Sequence, residues 1–320
     1  MATILRWTWR IRLGSNGVMR PPAPLYAVAS MLSVQLGAAL STHLFTALTP
    51  AGSAWIRVAL SAVVLLAITR PRLRSIGWPA LRGTLLLGAA TAVLMLAYIE
   101  AIARIPLGTT AAIEFLGPLG VAAARSYRRS ALVWPALAFV GVIGLTEPWR
   151  GDLDLLGIGF AAAAAGGWAA YIVFTQRVGA ELEGLQGLAL SLSVATVVGA
   201  PVAAWSAVSG LTPLIGLQSL GLAVLVPLLP FTLELLALRR MRVAAFGTLM
   251  ALEPGIAAVI GLVLLSQLPT SWQITGVALV VAAGVGAQRG PSTTEPAGPT
   301  VHSGDPAEID LGGRAIASAT

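Results

Sequence analysis

Two glutamates stand where a carboxylate is hardest to keep. Glu114 lies in the run Ile113-Glu114-Phe115-Leu116-Gly117-Pro118, and Glu253 lies in Leu252-Glu253-Pro254-Gly255. Both runs are set in long apolar stretches. An isolated carboxylate in a low dielectric is strongly disfavoured, so each acid is expected to be protonated, paired or in contact with water. A group poised in that way can exchange a proton for a cationic group. Each acid is also close to a proline. Pro118 lacks a backbone donor and frees the carbonyl one turn earlier, at Glu114, and Pro254 does the same at Met250. Freed carbonyls inside a membrane are tolerated where they line a cavity. Both prolines are therefore candidate helix breaks, and Gly117 and Gly255 are expected to admit a bound group closely. A structural hydrogen bond beside the proline and simple kinking are the plainer alternatives, and both stay open.

Further polar side chains extend the candidate set. Glu100 and Glu234 sit toward the ends of apolar runs, within reach of an interface. Arg57 lies inside a run and can bind a carboxylate with two parallel hydrogen bonds. Its plainer reading is that it snorkels to the interface. Tyr98, Trp168 and Tyr171 can line a pathway or simply pack, and Thr248, with Thr109 and Thr110, can meet a hydroxyl. His43 reads as a solvated histidine at a span end.

The elements that must position these residues are membrane spans. The chain is 57% hydrophobic and only 10% charged, whereas a soluble domain carries about 25% charged residues. Ten apolar runs are readable, near 24–48, 51–69, 79–101, 107–125 and 131–147, then 155–177, 185–208, 214–238, 243–266 and 270–288. As helices, runs of about 20 residues cross a hydrocarbon core of about 30 Å. The expected fold is all-α and integral to the membrane. Residues 1–23 read as a basic cytoplasmic tail and 290–320 as a disordered cytoplasmic tail rich in Pro, Gly, Ser and Thr.

All 20 basic residues are arginines. With ten alternating spans, most fall in the termini and loops of one face: Arg6, Arg10, Arg12 and Arg20, then Arg70, Arg72, Arg74 and Arg82, then Arg125, Arg128 and Arg129, then Arg177, then Arg239, Arg240 and Arg242. The opposite loops hold only Arg104 and Arg150. An excess of Arg marks the cytoplasmic side, so both termini are expected there. A shift of 136 residues sets Leu116 on Leu252 and Pro118 on Pro254 without gaps. Five spans per copy is an odd number, so the second copy must insert upside down. The expected organisation is two inverted five-helix halves, residues 24–147 and 155–289, a recurrent transporter architecture.

Several classes are excluded. The chain has no Cys and only two histidines, His43 and His302, too few for a thiolate site, a metal centre or a histidine-based triad. No GxxxxGK[ST] segment is present, so ATP-driven pumping is not expected. No cofactor or metal is expected, and the net charge of +7 reflects loop arginines rather than a nucleic-acid partner.

Arg104-Ile105-Pro106-Leu107-Gly108, the IEFLGPL run from Ile113, Trp168-Ala169-Ala170-Tyr171 with Gln176-Arg177, and FGTLMALEP from Phe246 together resemble the EamA family of the drug/metabolite transporter superfamily. Within it the likeness is closest to the bacterial threonine/homoserine exporters, and it runs over roughly 24–288. A departure is Thr42, which stands about where such exporters often carry a Lys. The resemblance implies a ten-helix transporter of the inner (cytoplasmic) membrane that exports a small polar metabolite, an amino acid such as threonine or homoserine, driven by protons. The implied partners are membrane lipid, the small-molecule substrate and protons, with a homodimer left open. Multidrug or other metabolite efflux on the same fold is the alternative; it predicts a cavity rich in aromatic rings, against an aromatic content of 6%. A non-transporting scaffold and an intramembrane enzyme are the remote alternatives.

Overall fold

In the computed structural model, the described residues are 22–71, 77–124, 132–150, 153–179, 185–238, 240–241 and 243–289. Both expected tails, and the loop arginines Arg72, Arg74, Arg125, Arg128, Arg129, Arg239 and Arg242, lie outside them. Among the described residues every regular element is a helix. They are α1 (Ala23–Leu48, its last turns passing through a 3₁₀ segment at Thr42–Leu44), α2 (Pro50–Thr69), α3 (Trp78–Ile102), α4 (Leu107–Ala124), α5 (Val133–Thr146) and α6 (Leu155–Gly179). They continue with α7 (Gln186–Ser209), α8 (Pro213–Ala223), α9 (Leu229–Leu238), α10 (Val243–Met250), α11 (Glu253–Leu265) and α12 (Ser271–Arg289).

Among the described residues, eight stretches are long and apolar enough to cross a membrane. Two of the ten expected spans fall short by that measure. The 14 residues of α5 rise about 21 Å, and the apolar part of α12 is Ser271–Ala287. Two others are interrupted. The eighth is irregular over Val224–Leu228, where Val226 is extended (φ −149°, ψ 118°). The ninth turns at residues 251–252, between α10 and α11.

The surface is the reverse of a soluble protein's. Trp205, Leu268, Val202 and Val197 are more than 70% exposed, while Gln35, Arg57, Glu114 and Glu253 are buried. Apolar side chains facing outward suit lipid. Polar ones must then find partners inside, because the hydrocarbon offers none.

Helix pairing is regular. α2 packs along α7, α5 along α12, and α4 along α11. α3 packs along α6, and α1 along α9. Small residues let these backbones meet. A methyl group on Gly167 of α6 would stand 2.8 Å from the Leu94 nitrogen of α3, and Gly141 of α5 and Gly276 of α12 each face the other's carbonyl. The Ala161–Gly167 run is thus a packing seam. Gly117 belongs to it too. The sequence suggested that Gly117 would admit a bound group, but a Cβ there would lie 2.1 Å from the Ala165 carbonyl oxygen of α6. Gly255 has only ordinary contacts, at 3.9 Å.

The prolines of the eighth span explain its break and its repair. Pro227 cannot donate to the Ala223 carbonyl, nor Pro230 to that of Val226. Ser61 of α2 donates to the Ala223 oxygen at 3.2 Å and Ser33 of α1 to the Leu225 oxygen at 2.6 Å. Ser30 approaches the Pro230 oxygen at 3.4 Å. Ser61 thus stands in for the donor that Pro227 lacks, and Ser33 meets a carbonyl inside the irregular segment.

The Gly117 contact sets a test of the packing. Gly117→Ala is expected to destabilise the protein by about 1–3 kcal/mol through overpacking. Gly120→Ala, one turn on with nothing within 4 Å of its added methyl, is expected to be neutral or slightly stabilising. Thermal melts of the two purified variants in detergent compare them directly, and equal melting temperatures would refute the seam.

Candidate functional site

A cavity of about 340 Å³ lies among α1, α2, α3, α4, α6, α9, α10 and α11. Arg57, Tyr98, Glu114, Trp168, Tyr171, Glu234 and Glu253 all line it. Its size is at the lower end of small-molecule sites, roughly 300–1,000 Å³. Pro118 lines it as well, inside an α4 that runs on through the proline. The remainder is largely apolar, including Val34, Ala38, Met95 and Met250.

Arg57 does not snorkel. It is 2% exposed and is held by the bond its Nη1 donates to Ser41 Oγ of α1 at 2.8 Å. Ser41 in turn donates to the Gly37 carbonyl at 2.6 Å. Among the described residues Arg57 forms no ion pair, and its Nε has no partner. A buried guanidinium with an open donor is a ready receptor for an anionic oxygen.

Glu253 is tied on one side only. Gln35 Nε2 donates to its Oε1 at 3.1 Å, and Tyr98 Oη donates to Gln35 Oε1 at 2.9 Å. Glu253 Oε2 is buried without a partner. Glu234 accepts a bond from Ser30 Oγ at 2.9 Å. Six aromatic rings line the same space: Tyr98, Phe115, Trp168, Tyr171, Phe231 and Phe246. Phe115 meets Trp168 edge-on at 6.4 Å, and Tyr171 lies 6.3 Å from Phe231. The chain holds few aromatics, but they are concentrated here.

Other candidates lie elsewhere. Glu100 accepts the Ala51 amide at 3.0 Å and so caps the first turn of α2, where an acid is favoured by the exposed N–H groups. Pro254 is buried at the start of α11 and, with Thr248, is not among the cavity-lining residues. His43 is exposed. Gln35 was the residue missed. Its signal was present: a long amide inside an apolar run carries the same burial cost as the acids.

The two ends of the bundle differ. At one end, helix starts are capped by side chains. Gln267 accepts the Leu107 amide at 3.0 Å, Asp154 that of Gly157 at 2.7 Å, and Thr212 that of Ile215 at 3.3 Å. Thr270 and Gln273 cap each other's amides at the start of α12, and Thr270 donates to buried Glu147 at 2.8 Å. A second cavity of about 250 Å³, lined by Arg104, Glu147, Arg150 and Asp154 among others, sits at this end. The main cavity runs toward the opposite end. There it includes Ala122 near the end of α4, Glu234 near the end of α9 and Phe246 near the start of α10.

Comparison with known proteins accords with this architecture. The EamA-like transporter family model matches residues 155–286. The chain is 35% identical over 271 residues to the threonine/homoserine exporter RhtA of Salmonella typhimurium strain LT2, across 82% of this chain and 90% of that protein. It is 35% identical over 267 residues to the threonine/homoserine exporter RhtA of Escherichia coli K12, across 81% of this chain and 88% of that protein.

A chain without cysteine makes the cavity directly testable. Ala122→Cys, on the cavity wall, is expected to react readily with a charged thiol reagent. Ala164→Cys, fully buried in the α6 seam, is expected to resist it. Mass spectrometry of the labelled protein reads both, and protection of the cysteine at 122 would show that water does not reach the site.

Proposed function

This chain belongs to the EamA-like transporter family, and we propose that it exports a small zwitterionic amino acid, threonine or homoserine, out of the cytoplasm by proton-coupled alternating access. The observation that carries this reading is the pairing in one cavity of Arg57, free of any acid partner among the described residues, with Glu114, Glu234 and Glu253. Arg57 takes the substrate carboxylate. A glutamate takes the ammonium group in place of a proton. The names of the two relatives supply the cargo. The chain is a transporter rather than an enzyme.

The moving parts are two inverted halves, residues 24–147 and 155–289, in the inner membrane with both termini cytoplasmic. The helix pairing supports this. Exchanging the first half for the second turns the α3–α6 contact into the α1–α9 contact. It maps the α2–α7, α4–α11 and α5–α12 pairs onto themselves. Paired repeats of this kind can rock about a site between them. The loop arginines support the orientation, and the main cavity then faces the cytoplasm, where an exporter loads.

The ring-lined wall supports a second reading, efflux of flat organic cations, because such rings attract a cation through their faces. Overexpression decides between the two. The expected outcome is raised tolerance to toxic threonine or homoserine and faster export of both. Unchanged amino-acid tolerance with new resistance to cationic dyes would favour the second reading.

Coupling has its own test. Glu114→Gln and Glu253→Gln keep shape and lose titration. In proteoliposomes, at least one is expected to abolish threonine transport driven by a pH gradient while leaving the protein folded and inserted. If both variants keep the normal pH dependence, the proton does not travel by these acids.

A further inference from the structure

Gln35 is fully buried in α1, and its amide bridges two cavity-lining groups that belong to different helices. Its donor end meets Glu253 Oε1 of α11 at 3.1 Å, and its acceptor end meets Tyr98 Oη of α3 at 2.9 Å. This arrangement fixes the character of both neighbours. Tyrosine has one hydroxyl hydrogen; with that hydrogen given to Gln35, Tyr98 Oη is left as an acceptor. A carboxylate is acceptor-only. One oxygen of Glu253 is occupied by Gln35, and the other, Oε2, is buried with no partner. Two acceptors, on two residues that line the cavity, therefore flank one amide, and an unfilled buried acceptor is costly. The chemistry that fits is a compact donor carrying several hydrogens and a positive charge. We infer that Glu253 Oε2 and Tyr98 Oη form the subsite for a primary ammonium group, and that Gln35 is the positioning residue that makes both of them acceptors. This rests on the amino-acid reading above for its cargo, and it divides the labour within the cavity: Arg57, which has open donor capacity, takes the carboxylate end.

The amide also gives proton and ammonium a reason to exclude each other. When Glu253 carries a proton, its hydroxyl is a donor and must face an acceptor. Gln35 can serve by turning its amide over, offering its oxygen to Glu253 and its NH₂ to Tyr98. Tyr98 Oη then accepts from Gln35 and is free to turn its own hydrogen into the cavity, while Glu253 loses its negative charge, so the subsite no longer offers an anion and a committed acceptor to an ammonium group. The charged and titratable groups that share the cavity with Glu253 are Arg57 of α2, Tyr98 of α3, Glu114 of α4, Tyr171 of α6 and Glu234 of α9. None of these is in hydrogen-bond contact with the Gln35 amide except Tyr98. The bridge is thus the one element that reads the protonation of Glu253 and passes it to a second side chain.

Binding to purified full-length protein, followed by ligand-induced thermal stabilisation, tests the subsite. The probes are L-threonine, aminopropanol (threonine without its carboxylate) and β-hydroxybutyrate (threonine without its ammonium). In the wild type the two amines are expected to bind at least about tenfold more tightly than β-hydroxybutyrate, the scale of a hydrogen bond to a charged group. Gln35→Leu is expected to erase that preference and leave β-hydroxybutyrate binding unchanged. Tyr98→Phe, which keeps the ring, is expected to weaken the amines in the same way, and the double variant to be no worse than either single one. Should Gln35→Leu fail to fold, Tyr98→Phe carries the test. Acidification is expected to weaken aminopropanol binding in the wild type and to do so less in Tyr98→Phe. A wild type without preference for amines, or a Gln35→Leu that keeps the preference, overturns the subsite. Aminopropanol binding that needs Gln35, in a protein that neither binds nor carries threonine, leaves the subsite standing and overturns the amino-acid reading instead.

Discussion

The interior of this protein turns on a guanidinium, that of Arg57, which among the described residues has no carboxylate paired with it. A charge buried at low dielectric is tolerated when it is paired, hydrogen-bonded or open to water. Arg57 has one hydrogen bond, to Ser41, and a cavity. The nearest alternative, a direct ion pair with Glu114 or Glu253, would satisfy the charges and close the site. Keeping acid and base on the walls of one cavity but apart is the less stable arrangement of the empty protein, and it is the one that leaves binding capacity for a zwitterion. The local structure then has to hold the charged groups in place without letting them collapse onto one another.

Serines and glycines do most of that holding. The break at Val224–Leu228 exposes backbone carbonyls in the interior, and Ser61 and Ser33 answer them from α2 and α1. Ser61 shares its one hydroxyl hydrogen with the carbonyl of Arg57 itself, at 2.8 Å, so the residue that answers the broken span sits one turn from the Arg57 guanidinium. On the other side of the cavity, Gly117 brings the α4 backbone against Ala165. That contact fixes where Glu114 and Pro118 present themselves. The two signature prolines differ in use: Pro118 stays inside a continuous helix, while Pro254 starts one, at a position where the missing N–H has no intrahelical role.

Much of this was legible in the sequence, because membrane burial turns composition into structure. The all-helical fold and the position of most helices follow from apolar run length alone. Glu114, Glu253 and Arg57 stood out as candidates because burying charge is expensive; that they line one cavity is seen only in the packing. Arg57 was more simply read as snorkelling. That reading failed because Ser41, one helix away, supplies a partner that local sequence cannot show. Glu100 and Glu234 were indistinguishable by position in their runs. Only the packing separates them, setting Glu100 on the first turn of α2 and Glu234 into the cavity. Aromatic content misled for a related reason: a low average says nothing about where rings gather, and six of them line this cavity. Interruption of the eighth span was readable from Pro227 and Pro230, yet its length and apolarity favoured a continuous helix.

The contrast between the two ends of the bundle bears on how the cavity would have to turn over. At the capped end, side chains from one segment satisfy the first amides of another: Glu100 of α3 serves α2, and Gln267, in the loop after α11, serves α4. The first joins helices of different pairs and the second ties a loop to a helix, so a motion that separates these segments has to break them. Each net bond is worth only about 0.5–1.5 kcal/mol, and the released amides would then face water rather than lipid, which recovers much of the loss. On the proposed alternating-access reading the caps would act as a latch, strong enough to hold the end closed and weak enough to yield to a change in the charge state of the cavity. In the interior the balance is different, because an amide or carboxylate that loses its partner there has only the cavity to turn to. The buried bonds of Gln35 to Tyr98 and Glu253 are thus the ones whose rearrangement costs most, and the rearrangement of the end caps is the one that costs least. On the proton-coupled reading proposed above, protonation at Glu253 would act on the expensive set, and alternation of the ends would follow on the inexpensive one.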